Sequence, residues 1–166
     1  LVGSEMCIRD RYGKAKYYSM DPFHEGGNTE GVDLAKAGTS IMGAMKKANP
    51  EAVWVMQAWQ ANPREAMVNT LDSGDLLVLD LYSEKLPQWG DPESMWYREK
   101  GFGKHDWLYC MLLNFGGNVG LHGRMEQLVN GYYNACAHIN GKTLRGVGAT
   151  PEGIENNPMM FELLYE

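Results

Sequence analysis

The sequence has few cysteines, no excess of basic charge and no long hydrophobic run. Its three cysteines are too few for a disulfide scaffold, and their spacing does not match a metal site. Lys and Arg number 15 against 21 Asp and Glu, giving a net charge of −6. This balance argues against a groove for nucleic acid or an anionic membrane surface. No apolar run approaches the roughly 20 residues that a membrane helix needs. We therefore expect neither a nucleic-acid partner nor a membrane partner.

The composition instead indicates one folded domain. Of the 166 residues, 44% are hydrophobic and 22% are charged, which is enough apolar material for a substantial core. The segment VGSEMCIRD near the N-terminus resembles translated sequencing-adapter read-through, although an ordinary polar tail would look similar. We therefore predict that residues 1–11 are a non-native or disordered tail and that residues 12–166 form the domain.

Five apolar segments predict β-strands. The first is the aromatic run at Tyr17, which predicts a buried strand. Residues 51–59 and 75–82 are continuous apolar runs with almost no alternation, which is typical of strands covered on both faces by helices. The other two strands are predicted over residues 106–113 and 144–149. Between and after the strands, helical spacing and capping residues predict helices over 29–49, 63–71, 124–138 and 158–165.

Strands that alternate with helices predict a parallel sheet, either an open doubly wound sheet or part of a (β/α)8 barrel. Polar and aromatic residues favour the barrel because they fall at the carboxyl ends of successive strands, where barrel enzymes place their active sites. These residues are Glu25, Trp59, Asp80, Asn114 and Glu152. A complete barrel needs about 250 residues, so we predict the later part of one, with about five strands and truncated at both ends.

Two of the strand-end residues are glutamates on glycine-flanked turns, in HEGG and PEG. Most glycoside hydrolases use two carboxyl groups, one to protonate the leaving oxygen and one to attack the anomeric carbon or activate water. Glu25 and Glu152 are therefore the candidate catalytic pair. Trp59 could stack on a sugar ring or belong to the core. Asp80 and Asn114 could bind sugar hydroxyls or cap the next helix.

Other candidates carry weaker signals. His24 and Asn118 are further candidates for binding the substrate. His24 could also be a pH-sensitive neighbour of Glu25, and no second histidine follows it at the spacing of a zinc-binding helix. The GGNVG segment lacks the phosphate-loop lysine and predicts a tight turn that exposes Asn114 and Asn118. The long connection over residues 83–105 predicts a lid or binding loop, whose aromatic residues would shape a pocket rim. Those residues are Trp89, Trp96 and Tyr97, whereas Trp107, Cys110 and Cys136 are predicted to be buried.

Five motifs in order, DPFHEGG, AVWVMQAW, LLVLDLYSE, WLYCMLLNFGGN and GATPEGI, resemble the catalytic barrel of the α-N-acetylglucosaminidases, glycoside hydrolase family 89. The resemblance covers residues 16–166. It implies that Glu25 is the general acid/base and Glu152 the nucleophile of a retaining exo-glycosidase. It also implies a glycan substrate ending in α-linked N-acetylglucosamine, such as a mucin-type or heparan-derived chain. Neither a metal nor an organic cofactor is implied, and the location would be secreted or periplasmic.

Two alternatives remain open. A barrel that binds carbohydrate without cleaving it would present a similar surface, although it would have no need of both acids. The chain could also be an inactive fragment of the enzyme, because missing strands would leave open sheet edges. The oligomeric state is not indicated by any feature of the sequence.

Overall fold

A computed structural model describes residues 13, 15–23, 25, 27–117, 120–153 and 156–166. The predicted tail at residues 1–11, His24 and Asn118 lie outside this part of the chain. Strands and helices alternate along it: β1 Tyr17–Ser19, α1 Leu34–Ala48, β2 Val53–Ala58, α2 Glu65–Val68, β3 Leu76–Asp80, β4 Asp106–Met111, α3 Met125–Ala137, β5 Leu144–Ala149 and α4 Pro158–Tyr165. Single 3-10 turns lie at Phe115–Gly117 and Ile139–Thr143.

The five strands form one parallel sheet in the order β1-β2-β3-β4-β5, as the sequence predicted. Because the spatial order equals the chain order, every connection returns the chain to the start of the neighbouring strand. All carboxyl ends therefore meet at one edge of the sheet, where the candidate site residues follow their strands.

The two faces of the sheet differ in burial. Side chains alternate between faces along a strand, and one face carries Trp54 and Met56 of β2, Leu76 and Val78 of β3, and Trp107 of β4, all 0% exposed. They share one core cluster with Met42 of α1, Met67 of α2 and Leu128 of α3. This face is therefore the one that the helices cover. The residues of β2 and β3 on the opposite face are only half-buried.

Helix α1 begins later than the sequence predicted. Its first residue is Leu34, and the carboxylate of Asp33 caps it by accepting a 3.0 Å hydrogen bond from the Lys36 amide. Thr29, at the predicted start of the helix, instead lies in a turn, where its carbonyl accepts a 3.1 Å hydrogen bond from the Val32 amide. Gly31 has a φ of +71°, a left-handed conformation that cannot continue a right-handed helix, so the helix cannot start before it.

Three smaller predictions were wrong. Helix α2 covers Glu65–Val68, so Pro63 precedes it and does not lie in its first turn. Strand β1 is not buried, because Tyr17 is 55% exposed. Cys136 is exposed, whereas Cys110 is buried as predicted. Trp107 also lies in the core as predicted.

The long connection over residues 83–105 contains neither a helix nor a strand, yet much of it is buried. Trp89 stacks on Trp107 with ring centroids 6.5 Å apart, so the predicted rim position of Trp89 was wrong. The guanidinium of Arg98 donates to the Gln88 side chain at 2.6 Å and to the carbonyls of Asn62 and Pro63. These contacts fasten the connection to the loop that follows β2.

Candidate active site

The segment that leads from β1 to Glu25 is tied to the end of β2. The Met20 carbonyl accepts a 2.7 Å hydrogen bond from the Trp54 indole N–H. The Asp21 carboxylate accepts one from the Gln57 amide at 2.7 Å and one from the Asn62 side chain at 3.0 Å. Since β2 is a central strand, these bonds fix the start of the turn that carries Glu25.

Glu25 itself lies on a tight turn and is exposed. Its φ of +47° is left-handed, as is the φ of +60° at Phe23. The chain folds back so closely that a Cβ atom added to Gly27 would lie 2.4 Å from the Phe23 Cα atom. Only glycine fits at residue 27 without moving the turn. The turn thus holds an exposed glutamate at the carboxyl end of β1.

Glu152 lies three residues after β5 and is held by the segment that follows β4. Its amide donates to the Leu113 carbonyl at 3.0 Å, and the Thr150 amide donates to the Met111 carbonyl at 2.9 Å. One carboxylate oxygen of Glu152, Oε2, accepts from the Gly116 amide at 3.3 Å. The side chain of Glu152 is exposed, and hydrogen bonds hold both its main-chain amide and its carboxylate.

Glu25 and Glu152 follow the two outer strands of the sheet, at the same end of it. Glu25 follows β1 and Glu152 follows β5, four strand-to-strand steps apart in one parallel sheet. In an eight-stranded barrel, four steps are half of the circumference, so the loops after these strands face each other across the barrel axis. Long side chains from the two walls can therefore converge on one small molecule.

An aromatic cluster lies at the same end of the sheet. Trp59 is at its centre, with ring centroids 4.6 Å from Trp96, 5.3 Å from Phe115 and 6.3 Å from Tyr82. Leu81, Leu86 and Leu112 complete the cluster. Trp59 is only 8% exposed, so of its two predicted roles the structure favours packing, and stacking on a sugar ring stays a prediction. Of the predicted rim residues, Trp96 joins this cluster and Tyr97 is 43% exposed.

Asp80 does not fit its predicted role of binding sugar hydroxyls. It is 0% exposed and pairs in register with Ala58 and Tyr109, on the face that the helices cover. Its carboxylate accepts from the amides of Gln88 at 2.9 Å and Trp89 at 3.2 Å. Asp80 therefore anchors the long connection on the side of the sheet that the helices cover.

The buried acids make stability depend on pH. Burial raises the pKa of Asp80 from its usual 3.8, and that of Glu84 from 4.5, in both cases to about 7. Between pH values of about 4 and 7 the folded protein therefore holds protons that the unfolded chain has released, so the free energy of unfolding falls as pH rises. We expect a higher urea midpoint at pH 5 than at pH 8.

Asp80→Asn should flatten this profile and leave the protein at least as stable as the parent at pH 8. The amide oxygen still accepts from the Gln88 and Trp89 amides, and no charge is buried. Urea unfolding followed by circular dichroism measures both effects, with the exposed Asp72→Asn as the control. A slope of stability against pH that equals the parent's would contradict the assignment.

Asn114 is not exposed as the sequence predicted. It is 3% exposed, has a φ of +63° and donates from its side chain to the Asn156 Oδ1 atom at 3.0 Å. It thus joins the turn after β4 to the loop that carries Glu152. The role of Asn114 in binding hydroxyls has no support from this position. His24 and Asn118 lie outside the described residues, and their predicted roles stay predictions.

Tyr82 interacts electrostatically with Glu84, Arg124 and Glu152, and none of the first three was among the predicted site residues. Burial, followed by the negative charge of Glu84, raises the pKa of Tyr82; the Arg124 cation opposes this shift and Glu152 adds to it. The four side chains therefore share one electrostatic neighbourhood. For Tyr82 and Glu84 the signal was available, since both follow β3 in LLVLDLYSE, directly after the chosen Asp80.

Within the described part of the chain, no group of three or more His, Cys, Asp or Glu residues could hold a metal ion. None of the helices that the structure describes is long and apolar enough to cross a membrane.

Comparisons with known proteins give consistent matches. The family model for the alpha-N-acetylglucosaminidase (NAGLU) tim-barrel domain matches residues 6–166. Human alpha-N-acetylglucosaminidase is 35% identical over 180 residues, which cover 100% of this chain and 23% of the human protein. The family 89 glycoside hydrolase from Clostridium perfringens, solved with 2-acetamido-1,2-dideoxynojirmycin and with PUGNAc, matches with a TM-score of 0.80 and 35% identity.

A further structure of the Clostridium perfringens enzyme carries two glutamate-to-glutamine substitutions and contains its substrate GlcNAc-alpha-1,4-galactose; it matches with a TM-score of 0.80 and 34% identity. Each of these structural matches covers 95% of this chain and 17% of the other. The chain therefore spans less than a quarter of the length of these relatives. The matches confirm the predicted fold, a five-stranded part of a TIM barrel.

Proposed function

The chain belongs to the family of alpha-N-acetylglucosaminidase TIM-barrel domains, and from this premise we propose that it carries the two catalytic acids of a retaining exo-glycosidase. The proposed reaction removes terminal, non-reducing α-linked N-acetylglucosamine from glycans. The observation that carries the proposal is the placement of Glu25 and Glu152 after β1 and β5, half a barrel apart at the same end. This proposal applies to the whole enzyme, of which the chain would supply one part.

In the first step, a carboxylate oxygen of Glu152 attacks the anomeric carbon while Glu25 donates its proton to the glycosidic oxygen. The bond to the aglycone breaks, and the sugar is held as an ester of Glu152. In the second step, Glu25 takes a proton from water, the water oxygen attacks the anomeric carbon, and Glu152 leaves as a carboxylate. Two inversions give net retention, and the mechanism requires the two carboxyl groups about 5 to 5.5 Å apart.

The anchoring of each glutamate supports these different roles. Glu152 must reach the anomeric carbon on a fixed line, and the Gly116 amide holds one of its oxygens. This contact leaves the second oxygen for the attack. Glu25 has to exchange protons with a leaving group and then with water, and its exposed turn gives it access to both.

One relative supports the proposed substrate class. The Clostridium perfringens enzyme was solved with GlcNAc-alpha-1,4-galactose as its substrate. For this protein we propose glycans that end in the same α-linked sugar, with the aromatic cluster around Trp59 forming one wall of the sugar site. His24, which precedes Glu25 in the sequence, and Asn118 stay candidates for binding the substrate. A secreted or periplasmic location is part of the same proposal.

The stereochemistry of the product tests this function. A full-length family 89 enzyme that carries this chain in its barrel is given an aryl α-N-acetylglucosaminide, and the first sugar released is observed by proton NMR before mutarotation. We expect the α-anomer first. Release of the β-anomer would contradict the double displacement, and binding without release by the folded protein would favour the carbohydrate-binding alternative.

A further inference from the structure

Glu84 is a buried carboxylate that the proposed chemistry does not use. It lies in the long connection four residues after β3 and is 6% exposed. Its two carboxylate oxygens are 3.1 and 3.3 Å from the amide nitrogen of Leu112, the first residue after β4. A buried carboxylate is costly unless it is well bonded, so this contact calls for a reason.

The reason lies in the hydrogen bonds between β3 and β4. Beyond the end of β3 at Asp80, the Ser83 amide still donates to the Cys110 carbonyl at 3.0 Å. The next donor of the β4 chain on this side is the Leu112 amide, but β3 has already turned away. The Glu84 carboxylate takes the place of the missing strand carbonyl. A buried amide without a partner would cost about 1–3 kcal/mol.

The opposite side of the same segment holds the proposed nucleophile. The Met111 carbonyl accepts a 2.9 Å hydrogen bond from the Thr150 amide, and the Leu113 carbonyl accepts a 3.0 Å hydrogen bond from the Glu152 amide. A few residues further on, the Gly116 amide donates to the Glu152 carboxylate. Residues 111–116 are therefore bonded on one side by Glu84 and on the other side by Glu152.

We propose that Glu84 is a positioning residue for Glu152: by holding the Leu112 amide, it keeps residues 111–116 on the course that sets the attacking carboxylate. The inference rests on the proposed function, because it assigns Glu84 to the nucleophile of that reaction. Glu84 does not touch the substrate. It acts through the main chain. Glu84 holds the Leu112 amide, the adjacent Leu113 carbonyl accepts from the Glu152 amide, and the Gly116 amide donates to the Glu152 carboxylate.

The test compares Glu84→Ala, Glu84→Gln and the control Glu93→Ala in the full-length enzyme. Glu93 is an exposed glutamate on the same long connection. Alanine removes the acceptor for the Leu112 amide. Glutamine keeps one side-chain oxygen in a similar place, so it should rescue the position although it removes the charge.

The readout is covalent labelling of Glu152 by a 5-fluoro glycosyl fluoride of N-acetylglucosamine, followed by mass spectrometry. The fluoride leaves without acid assistance, so the labelling rate reports the attack alone. Because a displacement of about 1 Å can cost about 10²-fold, we expect Glu84→Ala to label about 10²-fold more slowly but to the same final stoichiometry. Glu84→Gln and Glu93→Ala should label close to the parent rate.

The outcomes separate the two proposals. A Glu84→Ala protein that labels at the parent rate overturns the positioning role. A Glu84→Ala protein that labels a smaller fraction of molecules at an unchanged rate also overturns it. That result would mean that part of the protein is unfolded, while the nucleophile of the folded part is correctly placed. If Glu84→Ala does not fold, Glu84→Gln provides the test. Its side-chain oxygen should still hold the Leu112 amide, so a labelling rate about 10²-fold below that of the parent overturns the role as well. Labelling of the parent at a residue other than Glu152 overturns the proposed function itself.

Discussion

Glu152→Gln is expected to lower kcat by about 10⁴-fold to 10⁶-fold. This is the range of losses when one member is removed from a set of catalytic residues that act together. The amide cannot form the ester to the anomeric carbon, so no glycosyl-enzyme accumulates. The fold should be unaffected, because the main-chain bond to Leu113 stays and the new side-chain oxygen can accept from the Gly116 amide. Steady-state hydrolysis of an aryl α-N-acetylglucosaminide measures the loss.

Glu162→Gln is a matched control, since Glu162 is an exposed glutamate of α4. It should hydrolyse the substrate at the parent rate. A Glu152→Gln protein with the same thermal midpoint as the parent and more than a tenth of its activity would show that Glu152 is not the nucleophile.

Glu25→Ala is expected to lower kcat/KM by about 10²-fold to 10⁴-fold for substrates with poor leaving groups, the usual contribution of a positioned proton donor. Substrates whose leaving group needs no proton should lose much less in the glycosylation step. The second step still lacks a base, but a small anion such as azide can attack the glycosyl-enzyme without one. Added azide should therefore restore turnover and give an α-glycosyl azide.

Comparison of natural and activated substrates, with and without azide, measures both effects. Glu30→Ala serves as the control because Glu30 is exposed and follows the same turn. Equal losses of kcat/KM on both substrates, without rescue by azide, would show that Glu25 is not the acid/base. The proposed role of Glu152 would be unaffected by that result.

The fold could be predicted from the sequence wherever the signal was local. Strand β5 and helix α4 have the predicted bounds, Leu144–Ala149 and Pro158–Tyr165, and a proline marks the start of α4. The parallel sheet followed from the alternation of strands and helices along the chain. The start of α1 was missed because two residues, Thr29 and Asp33, could each cap a helix, and the choice depends on the conformation of Gly31.

The candidate site was harder to predict because its details depend on which face of the sheet a side chain occupies. Both faces of β3 are apolar, so nothing in the run LLVLD shows that Asp80 points toward the helices. The burial of Asn114 likewise depends on a partner 42 residues away, Asn156. The link from Glu84 to Leu112 joins residues 28 apart and has no sequence signature. Strand-end placement thus identifies candidates, and tertiary contacts sort them.

The left-handed turn at Glu25 has an evolutionary consequence. A non-glycine residue with a φ of +47° costs roughly 1–2 kcal/mol relative to a relaxed backbone, and glycine at that position would avoid the cost. Under the proposed function, purifying selection for sugar cleavage is what opposes this gain in stability. Under the same proposal, a descendant that kept the barrel only to bind glycans would gain stability from glycine or asparagine at residue 25, because both residues adopt the left-handed conformation at lower cost.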